Sequence, residues 1–319
     1  MTDARTRRST RRKRILVIIA VAPRPTTGHW RSEQGYREYV AAYRAAMSTL
    51  PEPTRTHDIR TDHGTVRVYE WAGTPGTQDL PPVVLVPGLG SGAPMWSENL
   101  PHWLGSRTFY AMDAIGDAGL STHAVPFNSF DDHGTWLEQT LIGLGHDRVH
   151  LIGHSFGGAI AATHARLHPE RVVSLTLLEP VMVMSSMPAS IYLWSAVLLL
   201  PMPQPWKDRA LAEIGGVSVE EVRERTPMSV MIDAGLQHYA AVQVRPGRFT
   251  DQDWQAMPMP VRVEIASDSS LSGGDAAVDR ARSFGFEVIL RPDTTHSLPM
   301  QAASALGEEL PAFWQRHDS

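Results

Sequence analysis

The 319-residue chain has no cysteine. That absence excludes disulfides, thiolate metal sites and thiol chemistry. Long apolar runs are missing too. The stretches 15–22 and 191–200 are the candidates, and both fall well short of the roughly 20 residues a bilayer-spanning helix needs. Basic charge is not in excess: 29 Lys and Arg face 34 Asp and Glu, for a net charge of −5. A nucleic-acid partner, which usually leaves a basic footprint, is therefore not expected. Fourteen histidines are present, but without H-E-x-x-H or comparable ligand spacing, so no metal is expected. Hydrophobic residues at 42% and charged residues at 20% suit a globular chain with a sizeable core. The length fits one large domain with an insertion, or two small ones.

The N-terminus differs from the rest. Arg5, Arg7, Arg8, Arg11, Arg12, Lys13 and Arg14 precede the apolar run 15–22, which ends A-V-A before Pro23. This has the outline of a targeting segment, but the apolar part is short and Pro23 is poorly placed for processing. The reading is a disordered basic leader over 1–31 and a cytoplasmic protein. Export or membrane association through the leader is the alternative. Nothing in the sequence sets the oligomeric state.

Beyond the leader, Tyr36, Val40, Tyr43, Met47 and Leu50 recur at helical spacing, which predicts an amphipathic helix over 32–50. A strand follows near 65–71. Continuous apolar runs then appear at 81–88, 107–113, 147–155, 171–180, 261–268 and 286–293, with helical patterns at 130–145, 156–168 and 300–316 between and after them. Apolar strands alternating with helices predict an α/β fold whose mostly parallel sheet is covered on both faces. Between Pro180 and Pro260 no strand is visible. A structureless loop of that length is implausible, so a helical lid over 181–258 is expected, inserted between core segments 32–180 and 259–319. Trp194, Leu198 and Trp206 are its candidate substrate-lining residues.

One short stretch carries the chemistry. H-L-I-G-H-S-F-G-G (150–158) places Ser155 between a strand and a helix, the context of a nucleophile elbow. Gly153 and Gly157 let neighbouring backbones approach. The helix N-terminus beneath the serine favours developing negative charge. A serine needs a base, and His296, after the last strand in P-D-T-T-H-S-L-P-M, is placed to supply one. The acid that orients the imidazole is read as Asp268, at the end of the penultimate strand, with Glu179 as its rival and Asp275 a distant third. Oxyanion donors are expected from the backbone N–H groups of Phe156, next to the nucleophile, and of Leu89, in the glycine-rich loop V-P-G-L-G-S-G.

These motifs resemble the α/β-hydrolase fold family. P-G-L-G at 87–90, D-A-I-G-D-A-G-L-S at 113–121, G-H-S-F-G-G at 153–158 and T-T-H-S-L-P at 294–299 occur in the family's order, over roughly residues 60–316. The resemblance implies an eight-stranded sheet, a cap after strand six, a Ser–His–acid triad and no cofactor. The chain departs from it at Pro87, where the family has His, and at Ala266, where a glycine usually precedes the acid. Alignment also sets Ser269 where an Asp is expected, which leaves Glu179 open as the acid. The expected function is hydrolysis of an ester, lactone or thioester of a small, largely apolar substrate through an acyl-enzyme. The alternatives with the same triad are a carbon–carbon bond hydrolase, a cofactor-free haloperoxidase-like enzyme and a ligand-binding receptor with little turnover. A serine at the elbow, where dehalogenase- and epoxide-hydrolase-like members carry Asp, argues against those two.

Overall fold

A computed structural model describes residues 25–200, 202–268 and 270–318. Eleven strands are seen among these: β1 (His29–Trp30), β2 (Arg55–Thr61), β3 (Gly64–Trp71), β4 (Val83–Val86), β5 (Phe109–Met112), β6 (Thr122–His123), β7 (Val149–His154), β8 (Val172–Leu178), β9 (Tyr239–Ala240), β10 (Val261–Ala266) and β11 (Glu287–Arg291). The main sheet has nine strands. Eight run in the order β11-β10-β8-β7-β4-β5-β3-β2, and β6 pairs with β3. From β11 to β5 every pairing is parallel; β3, β2 and β6 are antiparallel.

The apolar runs become the parallel strands because both their faces are covered. In β4, Val84 and Val86 join one hydrophobic cluster and Val83 and Leu85 the other, as the two-residue period of a strand dictates. The first cluster packs under the helices Asp131–Leu144 and Phe156–Leu167. The second is rich in aromatics: Trp103 stacks on Phe109 with centroids 6.0 Å apart, and Trp314 meets both edge-on at 5.7 Å. In β10, V-R-V-E-I-A sends its branched residues to the first cluster. Arg262 and Glu264 lie on the other face, where they pair with each other, and Glu264 also accepts from Arg291. Buried charge survives there because it is matched.

Strand β2 escapes the sequence reading because R-T-H-D-I-R-T lacks an apolar run. It is the sheet edge, largely exposed, and its charges protect that edge from further pairing.

The first helix, Glu33–Met47, also differs from expectation. Its buried residues are Gly35, Tyr39, Tyr43 and Ala46, while Tyr36 is exposed. The face is turned because the helix packs on the helix Pro227–His238, glycine against side chain. A Cβ on Gly35 would lie 2.7 Å from His238, and one on Gly235 3.4 Å from the Tyr39 ring.

The expected leader is revised at its C-terminal end. His29–Trp30 pair with Tyr239–Ala240, and the Trp30 ring lies 4.6 Å from Tyr39 and 4.8 Å from Tyr239. Residues 1–24, including the basic cluster and the run 15–22, lie outside the described residues.

Between β8 and β10 the chain is mainly helical: Ala189–Leu199, Gln204–Gly215, Val219–Arg223, Pro227–His238 and Asp251–Gln255. Among the described residues no helix is long and apolar enough to cross a membrane.

Candidate active site

Strand β7 ends at His154 and the helix Phe156–Leu167 begins two residues later, so Ser155 must turn the chain alone. It does so at φ 56° and ψ −121°, a conformation that costs a non-glycine residue of order 1–3 kcal/mol. Three backbone hydrogen bonds hold it. The Ser155 N–H donates to Leu178 O at 3.0 Å, and Ser155 O accepts from Ala159 and Val181, both at 3.2 Å. The flanking glycines are steric necessities. A Cβ on Gly153 would sit 2.4 Å from Gly157 O, and one on Gly157 would sit 2.3 Å from Pro87 O and 2.4 Å from Val86 O. Those obstacles are backbone atoms and cannot swing aside. Gly157→Ala should therefore cost about 3 kcal/mol or more, read as a lower urea midpoint; a wild-type midpoint would contradict this packing.

His296 reaches the serine from the loop after β11. Its Nε2 is 2.8 Å from Ser155 Oγ, and its Nδ1 is 3.1 Å from Glu179 Oε2. A carboxylate only accepts, so it places the proton on Nδ1 and leaves Nε2 free to accept from the serine hydroxyl. Glu179 is fully buried and leaves the end of β8 at φ 47°. Its Oε1 accepts from the Ala266 N–H and the Ser270 hydroxyl, both at 2.7 Å, and its Oε2 accepts from the Leu271 N–H at 2.9 Å as well as from His296. Four donors keep this buried group supplied.

Among the described residues the carboxylate bonded to the imidazole is not the preferred Asp268 but its rival Glu179. Its side chain is exposed, and its backbone N–H donates to Thr294 O at 2.9 Å. The loop after β10 instead wraps the Glu179 carboxylate, lending it donors from Ala266, Ser270 and Leu271. Asp275 opens the helix Asp275–Ser283 and lines a cavity of about 440 Å³ with Ser185, Ser186 and Ser270.

Phe156 follows Ser155 directly and opens the elbow helix, and Leu89 lies in the loop after β4. A Cβ on Gly88 would come 3.3 Å from Ser155 Cβ, so the loop after β4 lies against the serine. Among the described residues, neither the Leu89 nor the Phe156 N–H donates to a protein acceptor. The lid candidates are less tightly placed. Trp194 is half-buried under the Arg209 guanidinium, 5.5 Å from its ring. Leu198 is half-buried, and Trp206 is 52% exposed. The helix Gln204–Gly215 meets the histidine loop by its C-terminal end, where Gly215 O accepts from Thr295 Oγ1 at 3.0 Å and from Ser297 Oγ at 3.1 Å.

Two histidines near the site went unassigned by sequence reasoning. His154 donates from Nε2 to the His296 carbonyl at 2.9 Å, with the rings 4.9 Å apart. Burial, helped by the neighbouring His296, pushes its pKa down to about 3, so it stays neutral beside the base. Its place next to Ser155 was the available signal, but only the fold turns it toward His296. His133 is fully buried behind Phe156, with ring centroids 5.5 Å apart. Its Nδ1 accepts from Trp136 Nε1 at 3.1 Å, and burial pushes its pKa down to about 3. In the unfolded chain it titrates near 6.5, so the unfolded state takes the proton first as pH falls and stability is lost below neutrality. His133→Gln should shrink the loss of unfolding free energy between pH 7 and pH 5 by about 2 kcal/mol, measured by urea denaturation at both values.

A serine–histidine–carboxylate chain is not by itself a site. Ser174, His150 and Asp318 form another one, at 2.8 and 2.9 Å. His150 and Ser174 sit opposite each other near the starts of β7 and β8, and Ser174 is 1% exposed. That chain ties the C-terminus to the sheet, with Arg107 also bridging to Asp318. Ser155, His296 and Glu179 gather instead beyond the strands' C-terminal ends, where open α/β sheets bind ligands.

Sheet order, elbow and insertion together define the α/β-hydrolase fold, and the similarities that follow support placing the chain in that superfamily. The sequence model for the alpha/beta hydrolase fold matches residues 81–202. The chain is 25% identical to the Bacillus subtilis carboxylesterase nap over 305 residues, 89% of this chain and 94% of that protein. It is 27% identical to the B. subtilis carboxylesterase YbfK over 166 residues, covering 52% of this chain and 54% of that one. The solved structure of naproxen esterase (carboxylesterase NP) from B. subtilis superposes with a TM-score of 0.78, at 23% identity, covering 89% of this chain and 99% of that one.

Proposed function

We propose that the protein is a serine carboxylesterase acting on small, largely apolar esters through an acyl-enzyme. The observation that carries this reading is the hydrogen-bonded chain from Ser155 Oγ through His296 to Glu179. Its placement at the sheet's C-terminal edge and the similarity over most of the chain to a B. subtilis carboxylesterase support it.

In this mechanism Ser155 Oγ attacks the ester carbonyl while its proton passes to His296 Nε2. Glu179 keeps the imidazole in the required tautomer and stabilises its charged form. The N–H groups of Leu89 and Phe156 receive the oxyanion. Collapse of the tetrahedral intermediate breaks the bond to the alcohol oxygen, which takes the proton from His296. Water then attacks the acyl-enzyme by the same route, His296 acting again as base, and frees the acid and Ser155. The segment 181–258 acts as the lid. Its uncharged helix Ala189–Leu199, A-S-I-Y-L-W-S-A-V-L-L, favours an apolar acyl group over a charged one.

The test is covalent labelling with a fluorophosphonate, alongside hydrolysis of short-chain p-nitrophenyl esters. Wild-type protein should be labelled and active. Folded protein that takes no label and hydrolyses no ester overturns the reading.

A further inference from the structure

Two carboxylates from the single segment 113–117 hold the loop after β4. At its far end, Asp113 Oδ1 accepts from the Ala93 N–H and the Tyr43 hydroxyl, both at 2.9 Å. At its near end, Asp117 Oδ2 accepts from the Gly90 N–H at 2.5 Å, while Oδ1 accepts from the Ala118 N–H at 2.8 Å. Asp117 is 7% exposed, and among the described residues no cation pairs with it. Burial pushes its carboxyl up to about 7 even with these two donors. A buried acid without a counter-charge lowers stability, and an apolar side chain would fill the same place without that cost.

The Gly90 N–H matters through the turn it belongs to. Ser91 N–H donates to Gly88 O at 3.2 Å, closing a turn over 88–91. Gly90 occupies its third position at φ 77°, where the type II form calls for glycine. The C=O and N–H of one trans peptide point in opposite directions. Holding Gly88 O toward Ser91 therefore aims the Leu89 N–H outward from the turn. The middle peptide, between Leu89 and Gly90, is the one whose flip separates type II from type I, and its N–H edge is what Asp117 holds. Asp117 is itself well anchored. Gln243 Nε2 donates to Ile115 O at 3.1 Å, and Gly116, at φ 85°, leaves no room for a Cβ, which would lie 2.9 Å from Val242 O.

We propose that Asp117 is a positioning residue for the oxyanion site: by holding the Gly90 N–H it pins turn 88–91 in place, and with it the Leu89 N–H beside Ser155. The proposal rests on the esterase reading above. Asp117 touches no substrate atom; it acts through Leu89. The group it positions works only on the developing oxyanion, so its loss appears in kcat and not in KM.

Steady-state kinetics of Asp117→Ala and Asp117→Asn on one p-nitrophenyl ester test this, with circular dichroism as a fold control. Asp117→Ala should lower kcat about 10²-fold, with KM within about twofold of wild type. Asp117→Asn keeps one acceptor for Gly90 but cannot also serve Ala118, so it should recover kcat to about a tenth of wild type. A graded kcat at constant KM supports the proposal. Wild-type kcat in either folded variant, or a loss confined to KM, overturns it. If Asp117→Ala does not fold, Asp117→Asn decides alone by the same criterion. Inactive, unlabelled wild type would sink the esterase reading and this proposal together, whereas active wild type with unaltered variants sinks this proposal only.

Discussion

Glu179→Gln should lower kcat by about 10⁴ while Asp268→Asn stays within about twofold of wild type. The expected gap follows from which atoms face the imidazole. Glu179 Oε2 lies 3.1 Å from His296 Nδ1, and the carboxylate keeps four donors. Glutamine has nearly the same shape, but one oxygen becomes an NH₂. If the amide NH₂ faces Nδ1, the imidazole must carry its proton on Nε2, where it can no longer accept from Ser155. If the amide turns over, its NH₂ meets the Ala266 N–H and leaves a buried clash of donors. Either outcome removes the base or its support. Asp268 is exposed and, among the described residues, is seen to bond through its backbone N–H alone, so amidation of its side chain should change little near the chemistry. Initial rates of ester hydrolysis for both variants decide the matter; equal losses, or the larger loss in Asp268→Asn, would reverse the assignment.

Ser155→Ala should lower kcat by about 10⁶, His296→Ala by a similar amount, and the double variant by no more than either alone. The two side chains act as one unit joined by a 2.8 Å hydrogen bond. A base without a nucleophile, or a nucleophile without a base, does little more than neither. The Leu89 and Phe156 N–H groups remain in every variant, so a residual rate of 10³–10⁴ over the uncatalysed reaction should persist. Fluorophosphonate labelling should vanish in Ser155→Ala. Multiplying losses in the double variant would show that the two residues act independently and contradict the shared mechanism.

The parallel part of the fold was legible in the sequence because its strands are buried on both faces and so must read as continuous apolar runs. Strand β2, exposed and charged at the sheet edge, carries no such signal, and the two-residue strands β1, β6 and β9 are too short for one. The first helix was placed correctly along the chain, and Tyr43 and Leu50 are buried as expected, but Tyr36 is exposed and Tyr39 takes its place. Tyr36 and Tyr39 are equally apolar, and only docking against Gly235 selects Tyr39. The same holds in the site. Ser155 is marked by its own neighbours, since the glycines an elbow needs at 153 and 157 are local necessities. His296 is marked by following the last strand.

Which carboxylate bonds to His296 was not legible, because Glu179 and Asp268 both close strand-like apolar runs and both precede loops. By itself the sequence determined the α/β alternation and singled out Ser155 and His296, since each is a matter of local pattern and chain order. Which carboxylate meets His296, where His154 points and what Asp117 holds were decided only by the tertiary structure. Those depend on side-chain direction at the sheet's edge, where Ala266, Ser270 and Leu271 donate to Glu179 while Asp268 stays in solvent.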